Sequence, residues 1–420
     1  VFQEVLSEPR RYARPWYFAY LLSGLVASGM VPILLPLMMA SVSHDLSSVA
    51  YVMGAYDLGL LSSPLWGIMA ERNKQYRALF FTGFLLSALA IGAFPFIRSI
   101  SEWMPLAFAM GVGFSGASTV SSLLIVDFEP SNEWEPRIGL LQSFNGIGQV
   151  IGLLLAGIFS HGSLSVGLWI AAIILIPALI LARVGLPAGS HPHETNFVTH
   201  FHHLLHIRSL AAFPHINFSS GIGFHFHDLN MSGLRHLSAT FGTRFARFLL
   251  SWFLMALGVA GFFTYFPLML NHSYGINSHF SSVIYAVVAG IGIVLFVLAA
   301  RWSEHFGVEK VYKFGLWIRV IGFLLLFILF FLPGIPHFVF GAIGFGLIVI
   351  AWPILSVSAT NLAAQLTPIS EGAAMGLFNM AFALATVIGA FASGPLIAAF
   401  GYQAITIVAM CGLGLSIILG

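Results

Sequence analysis

The stretch GIMAERNKQYR, from Gly67 to Arg77, places four charged residues within seven positions: Glu71, Arg72, Lys74 and Arg77. The runs on either side, 48–70 and 78–98, are almost wholly apolar. A helix needs about 20 apolar residues to cross the hydrocarbon core of a bilayer. The pattern therefore predicts a short polar loop between two membrane-spanning helices.

The whole composition shows the same contrast. Of the 420 residues, 58% are hydrophobic and only 8% are charged, whereas about a quarter of an ordinary soluble domain is charged. The alternating pattern of a membrane β-barrel is absent, so helices are the spanning structure that remains. We therefore expect an all-α membrane protein.

Twelve apolar runs are separated by polar breaks, and the longest break follows the sixth run. The predicted spans are 16–41, 48–70, 78–98, 103–126, 137–160, 165–184, 246–270, 280–300, 312–332, 336–360, 371–399 and 402–420. This pattern predicts four regions: a cytoplasmic segment 1–15, a six-helix bundle 16–184, a linker 185–245 and a second six-helix bundle 246–420. Because the chain begins at Val1 and stops at Gly420 within an apolar run, we expect residues to be missing at both ends.

The basic residues predict the orientation. If both termini are cytoplasmic, fifteen of the 17 lie on the inner side, Arg98 lies outside and Arg319 lies within a span. Lys and Arg are enriched in cytoplasmic loops, so we expect the N- and C-termini inside. The fifteen are Arg10, Arg11, Arg14, Arg72, Lys74, Arg77, Arg137, Arg183, Arg208, Arg235, Arg244, Arg247, Arg301, Lys310 and Lys313.

Two segments of the first half are similar in sequence to segments of the second half. GLLQSFNGIGQVIGLLLAG (139–157) aligns with GLFNMAFALATVIGAFASG (376–394) at an offset of 237, with six identities in 19 positions. The opening loop has a counterpart in ARWSEHFGVEKVYK (300–313), where Glu304 answers Glu71 at an offset of 233. Parallel repeats are a common way to build a transporter with a site between its halves. We therefore expect two pseudo-symmetric bundles.

Three loops resemble the major facilitator superfamily. Gly67-Ile-Met-Ala-Glu71-Arg72 with its following basic residues resembles the signature of the family's loop 2–3. The segment from Asp127 to Gly139 resembles its acidic loop 4–5, and TPISEGAAMGLFN (367–379) its loop 10–11. The resemblance covers nearly the whole chain and implies a 12-helix transporter in which the two bundles enclose a central site.

The resemblance also implies a cytoplasmic gate between the halves, formed by Gly67, Glu71, Arg72, Arg77 and Asp127. In the family, the acid of this loop lies at the N-terminal end of helix eleven, where the helix dipole favours negative charge. The glycine would let the second and eleventh helices approach closely.

This chain departs from the family pattern in several places. Glu71 stands where the family usually has Asp, and Lys74 and Gln75 replace an expected Gly and Arg. Helix four lacks the Arg of many drug–proton antiporters, and their helix-five Gly-Pro motif is reduced to Gly148-Gln149. These losses disfavour drug–proton antiport.

Two charged residues fall well inside predicted spans, away from the span ends. Asp57 lies deep in YVMGAYDLGLL, and intramembrane acids are functional by default, so it is the candidate for proton coupling; the alternative is a carboxylate hydrogen-bonded for packing. Arg319 lies six residues past Lys313. We expect its long side chain to reach the cytoplasmic headgroups rather than to bind substrate.

Family geometry places helices 1, 4, 7 and 10 around the central cavity, with helices 5 and 11 beside them. Substrate sites are mostly apolar with a few orienting polar groups, although Ser, Thr and Trp also serve packing and interface roles. The candidate cavity residues on these helices carry no further charges, which suggests a neutral or amphipathic substrate. The candidates are Ser115, Thr119, Gln142, Asn145, Trp252, Tyr265, Trp352 and Asn379.

Ten of the 16 histidines lie in the predicted linker, between His191 and His236. His202 and His206 would share a helical face, which makes them a weak candidate zinc pair; a cytoplasmic linker near the membrane surface is the simpler interpretation. The single Cys411 excludes an internal disulfide framework, and no Walker motif indicates an ATP-driven pump. We expect no cofactor and no nucleic-acid partner.

The leading hypothesis is a monomeric secondary transporter in a bacterial inner membrane. It would move a small solute by alternating access, by proton-coupled antiport or symport. A non-transporting membrane sensor or partner-binding protein of the same fold is the alternative. A membrane-embedded enzyme is disfavoured because the spans carry no Ser/His/Asp or paired-carboxylate constellation.

Overall fold

The computed structural model describes eight stretches of the chain: residues 14–43, 45–73, 75–129, 134–160, 162–184, 243–332, 336–366 and 371–419. These stretches are helical almost throughout and contain no strand, which confirms the predicted all-α fold class. The predicted N-terminal segment up to residue 13 and nearly all of the linker, including His202 and His206, lie outside the described residues.

Thirteen α-helices are described, and a 3-10 turn, Phe94–Phe96, follows the fourth. The α-helices are α1 Tyr17–Ser43, α2 Leu46–Leu60, α3 Ser63–Asn73, α4 Tyr76–Ala93, α5 Ile100–Phe128, α6 Trp134–Ser160, α7 Leu164–Val184, α8 Arg244–Tyr274, α9 Ser278–Phe306, α10 Val308–Leu329, α11 His337–Leu366, α12 Glu371–Phe400 and α13 Gln403–Leu419. Within α1, residues Gly24–Met30 form a π-helical segment.

Ten of the described helices are long and apolar enough to cross a membrane. The predicted span 48–70 is divided between α2 and α3, and the last predicted span corresponds to the 17-residue α13. The count of twelve membrane spans, the symmetry of two six-helix bundles and the domain bounds remain predictions.

The break between α2 and α3 follows from backbone chemistry. Pro64 has no N–H, so the carbonyl of Leu60 loses the donor that would continue the helix. The Ser115 hydroxyl of α5 donates to that carbonyl instead, at 3.0 Å. A hydrogen bond from α5 therefore stabilises the end of α2 in an interior where an unpaired carbonyl is costly.

Glycines bring helices α1 and α6 into backbone contact. A Cβ on Gly152 would overlap the carbonyl of Leu25, and one on Gly148 would overlap that of Leu21. From the other side, a Cβ on Gly29 would run into the backbone of Gly152. Close packing of this kind is what holds helices together in lipid, where apolar burial alone gains little.

The described helices before residue 184 pack mainly on one another, α4 on α5 and α1 on α6. The helices after residue 243 do the same, with α10 on α11 and α8 on α12 and α13. The main contacts between these two groups are α2 with α12, α6 with α9, and α8 with α1 and α2.

Replacing Gly152 by Ala should destabilise the protein, because the added methyl meets the Leu25 carbonyl and forces α1 and α6 apart. Overpacking of this kind costs about 1–3 kcal/mol. Thermal unfolding of the purified protein in detergent should show a lower midpoint. The matched control is Gly139→Ala on the same helix, where a Cβ would meet nothing within 4 Å; equal midpoints for the two variants would contradict the packing account.

Candidate functional site

A cavity of about 100 Å³ lies between the two groups of helices. Residues from α1 and α2 line it on one side, and residues from α8, α10, α11 and α12 line it on the other. Most of the lining is apolar or aromatic. Asp57 and Arg319 are the charged members of the lining, one from each group of helices.

Asp57 lies in the last turn of α2, one turn before the break that follows Leu60. The start of this helix is held by Asp45, whose side chain accepts a hydrogen bond from the Ser47 N–H at 2.9 Å. Within the described residues, no cation forms an ion pair with the Asp57 carboxylate. The carboxyl group therefore borders the cavity without a compensating charge.

Arg319 does not extend to the headgroups, and the prediction that it does is wrong. Its side chain is 1% exposed and lines the cavity. Nε donates to the Ile348 carbonyl at 3.3 Å, and Nη1 contacts the Met255 sulfur at 3.3 Å. Met255 is on α8 and Ile348 is on α11, so the face of α10 that carries Arg319 is turned towards these helices and away from lipid.

Aromatic rings surround this guanidinium and form one wall of the cavity. The Arg319 Cζ lies 5.7 Å from the Trp352 ring centre and 5.9 Å from that of Phe263, within cation–π range. Trp352 packs edge-on against Phe382 at 5.4 Å and stacks on Trp252 at 6.1 Å. The indole N–H groups of both tryptophans have no hydrogen-bond partner in the described part of the chain.

Trp352 is the predicted substrate-cavity residue that lines this cavity. The predicted proton-coupling residue Asp57 lines it too. Trp252 lies behind Trp352 in the same aromatic stack. Asn379 is on α12, about one turn before the lining residue Phe382. Trp352, Trp252 and Asn379 therefore lie in or near one wall of the cavity.

Ser115 and Thr119 lie elsewhere, between α5 and the broken helix α2–α3. The Ser115 hydroxyl binds the Leu60 carbonyl, and the Thr119 hydroxyl is 2.8 Å from that of Ser63. Neither residue lines the cavity. Their contacts are those of helix packing.

Gln142 and Asn145 face α1 rather than the cavity. The Asn145 amide donates to the Tyr20 carbonyl at 3.3 Å, and Gln142 lies beside the Tyr20 hydroxyl. That hydroxyl is also 3.0 Å from Ser118 on α5. The group joins α1, α5 and α6 within the first set of helices.

Tyr265 lies where α8 meets the start of α2. Its hydroxyl donates to the Leu46 carbonyl and accepts from the Ala50 N–H, the latter at 3.1 Å. This side chain therefore joins the two groups of helices directly, beyond one end of the cavity.

Small residues close the same end. A Cβ on Gly394 of α12 would lie 2.8 Å from the Ala50 side chain, and one on Gly54 would meet the Phe391 ring. Gly157 of α6 faces Ser282 of α9 in the same way. With Tyr265, these contacts bring the two groups together near the α1–α2, α6–α7 and α8–α9 connections.

At the opposite end, α3 packs on α4 and α5, within its own group of helices. The predicted gate residues fall here. A Cβ on Gly67 would have Thr119 Cγ2, at 3.9 Å, as its nearest described neighbour; Arg77 is half-buried at the start of α4. The side chains of Glu71, Arg72 and Asp127 lie outside those that the structure describes.

An ion-pair cluster at this end was missed in the sequence. Glu129, just after α5, pairs with Arg14 at 2.8 Å and with the buried Arg137 of α6 at 3.0 Å. The sequence predicts an acidic loop over 127–139 with Asp127 as its gate acid, and the described ion pairs at this loop are those of Glu129. The sequence signal for this pairing is an acid and a base, Glu129 and Arg137, on either side of a proline-containing loop.

In the described stretches, no group of three or more His, Cys, Asp or Glu residues could hold a metal ion. The weak zinc candidates His202 and His206 fall in the undescribed linker and stay a prediction.

The family model described as Major Facilitator Superfamily matches residues 16–366 and 248–420. No curated protein matches the sequence. Crystal structures of the nucleoside transporter NupG and of a point mutant of it cover 96% of this chain and 96% of their own, at 13% and 14% identity, with TM-scores of 0.72 and 0.69.

At this identity the likeness to NupG shows a shared fold and nothing about the substrate. The family match, in contrast, extends over nearly the whole chain. The chain belongs to the major facilitator superfamily, and it is therefore a multi-pass membrane transporter rather than an enzyme.

Proposed function

We propose that the protein is a secondary active transporter that carries a small solute by alternating access, with Asp57 as its proton-coupling group. The observation that carries this proposal is the cavity between the two groups of helices, which receives one charged residue from each. A site between two groups that can rock against each other is the arrangement that alternating access needs.

The distribution of basic residues supports an orientation. Arg14, Arg137, Arg244 and Arg301 lie at or near helix ends on the α3–α4 side of the molecule, whereas Arg98 follows α4 on the opposite side. Basic residues mark cytoplasmic loops, so we assign the α3–α4 side to the cytoplasm of a bacterial cell. The end closed by Tyr265 then faces outward.

The closing contacts are of a kind that can be made and broken. Tyr265 contributes hydrogen bonds to α2, and the glycine contacts at this end are van der Waals contacts with Ala50, Ser282 and the Phe391 ring. A typical hydrogen bond contributes only about 0.5–1.5 kcal/mol net. The outward-closed form is therefore separated from an open form by a modest free energy, as a transport cycle requires.

Asp57 is suited to couple protons to this cycle. It is the acidic residue of the lining, and it lies on α2, a helix that contacts α12 across the two groups. An unpaired charge at membrane depth is costly, and protonation removes it. Loading and release of a proton would thus change the relative free energies of the two forms.

Replacing Asp57 by Asn should abolish uptake that is driven by a pH gradient while sparing exchange of solute across the membrane, because the amide keeps the shape and loses the proton. The measurement is solute uptake by proteoliposomes with and without a pH gradient, after a screen across solute classes has found a substrate. Asp45→Asn is the matched control on the same helix, since Asn also caps helices well.

Full gradient-driven uptake by the Asp57→Asn variant would remove the proton-coupling role. Equal loss in Asp45→Asn would attribute the effect to the helix rather than to the carboxyl group.

Replacing Tyr265 by Phe should open the outer end more often, because the hydroxyl no longer binds Leu46 and Ala50. A loss of about 1 kcal/mol raises the open population by about fivefold. The readout is labelling of a Met53→Cys reporter in the cavity by an impermeant maleimide added outside intact cells, in a Cys411→Ser background.

Tyr274→Phe is the control, since its hydroxyl binds the Leu326 carbonyl at 2.9 Å within the second group of helices. A labelling rate that rises equally in both variants, or in neither, would show that Tyr265 does not hold the outer end closed.

A further inference from the structure

Arg319 has more hydrogen-bonding capacity than its surroundings use. Nε donates to Ile348, and Nη1 contacts the sulfur of Met255, a weak acceptor. Nη2 is buried and has no hydrogen-bond partner among the described residues. Buried polar groups are almost always satisfied, so Nη2 is a donor with unused capacity on a side chain that lines the cavity.

The charge of Arg319 is also uncompensated. Within the described residues, no carboxylate forms an ion pair with its guanidinium, and Asp57 borders the same cavity without pairing to it. A buried charge that lacks a partner is strongly unfavourable. Two cation–π contacts offset only part of that cost. An anion entering the cavity would supply the missing partner.

The lining restricts this anion to a single negative charge. Among the described residues of the lining, Arg319 is the cation, and none of the others is a second cation for a doubly charged group. Asp57, when ionised, repels additional negative charge. A planar carboxylate matches the two parallel N–H groups of a guanidinium, and that geometry gives the strongest such pairs.

The rest of the lining favours an apolar body of limited size. Phe263, Trp352 and Phe382 line the cavity together with Met255 and Val259. At about 100 Å³ it is well below the roughly 300–1,000 Å³ of sites for drug-sized ligands. A short aliphatic chain or one aromatic ring fits these walls better than a sugar or a nucleotide, which need many polar partners.

We propose that Arg319 binds the carboxylate of a small organic monoanion whose apolar body packs against Phe263, Trp352 and Phe382. This proposal rests on the proposed transport function, and it names the substrate class that the same cavity would bind. It replaces the neutral or amphipathic substrate expected from the sequence, because that expectation left Arg319 outside the site.

Equilibrium binding to the purified full chain in nanodiscs tests the proposal without requiring transport. The carboxylate probes are acetate, butyrate, hexanoate and benzoate; the neutral counterparts are butyramide, hexanamide and benzamide. At least one carboxylate should bind saturably, and its amide should bind about tenfold or more weakly, since hydrogen bonds to charged groups contribute about 1.5–3 kcal/mol. Inorganic phosphate should bind more weakly than that carboxylate.

The variant series separates charge from general folding. Arg319→Gln should lose about tenfold or more in carboxylate affinity, and Arg319→Lys should retain part of it, because Lys keeps the charge and loses the paired geometry. Arg301→Gln, which removes an exposed charge from the end of α9, should bind like the unmodified protein. If Arg319→Gln does not fold, the comparison of acids with amides on the unmodified protein decides alone.

Three outcomes overturn the proposal: no saturable binding of any of the four carboxylates up to millimolar concentration, an amide that binds as tightly as its acid, or unchanged carboxylate affinity in a folded Arg319→Gln variant. Its failure is separable from that of the transport function. Carboxylate binding without uptake would contradict transport alone, whereas Asp57-dependent uptake of a neutral solute without carboxylate binding would contradict the substrate class alone.

Discussion

Helices surrounded by lipid gain little from burying apolar side chains against one another, so close backbone packing has to hold this bundle together. Glycine supplies it in two places with different consequences. Within the first group of helices, Gly148 and Gly152 bring α6 against the backbone of α1. Between the groups, Gly394 and Gly54 bring α2 and α12 together at one end. The first kind of contact gives a group its rigidity, and the second joins two groups that can separate.

The cavity lies beside the break between α2 and α3, where the helices that contact this part of the chain change. The α2 segment contacts α12, but α3, beyond the break near Leu61, packs on α4 and α5 instead. Asp57 occupies the last turn before the break, where Ser115 rather than a helical N–H satisfies the Leu60 carbonyl. A titratable group, a helix end and a contact between the two groups thus meet within one turn, which is why a change of charge there can act on the packing.

Much of the fold could be predicted from apolar runs and basic loops, because both report directly on the bilayer. The break in the second span was harder to predict: Pro64 marks it, but prolines are tolerated within membrane helices when neighbours satisfy the backbone, and α5 and α8 contain Pro105 and Pro267 without interruption. Only the position of Ser115 shows how the Leu60 carbonyl is satisfied.

Within the site, Trp352 and Asp57 could be predicted from family geometry and from the cost of an intramembrane acid. Arg319 could not, since a residue near a helix end can turn either to the headgroups or to the interior. The sequence does not say which face of α10 meets α8 and α11. The sequence predicts that Asn145 lines the cavity, whereas its amide donates to the Tyr20 carbonyl on α1. In sequence, an amide that satisfies a carbonyl on a neighbouring helix looks the same as one that faces a substrate.

The proposed transport cycle requires one cavity that opens in turn to the two sides of the membrane. Spin-label distances on a Cys411→Ser background test it most directly, with one pair at Ser163 and Gln403 on the outer side and one at Gln75 and Glu304 on the inner side. All four residues are exposed, and each pair joins the two groups of helices. Alternating access predicts two populations, in which a longer outer distance accompanies a shorter inner distance. A single fixed distance in both pairs, or distances that lengthen together, would contradict it.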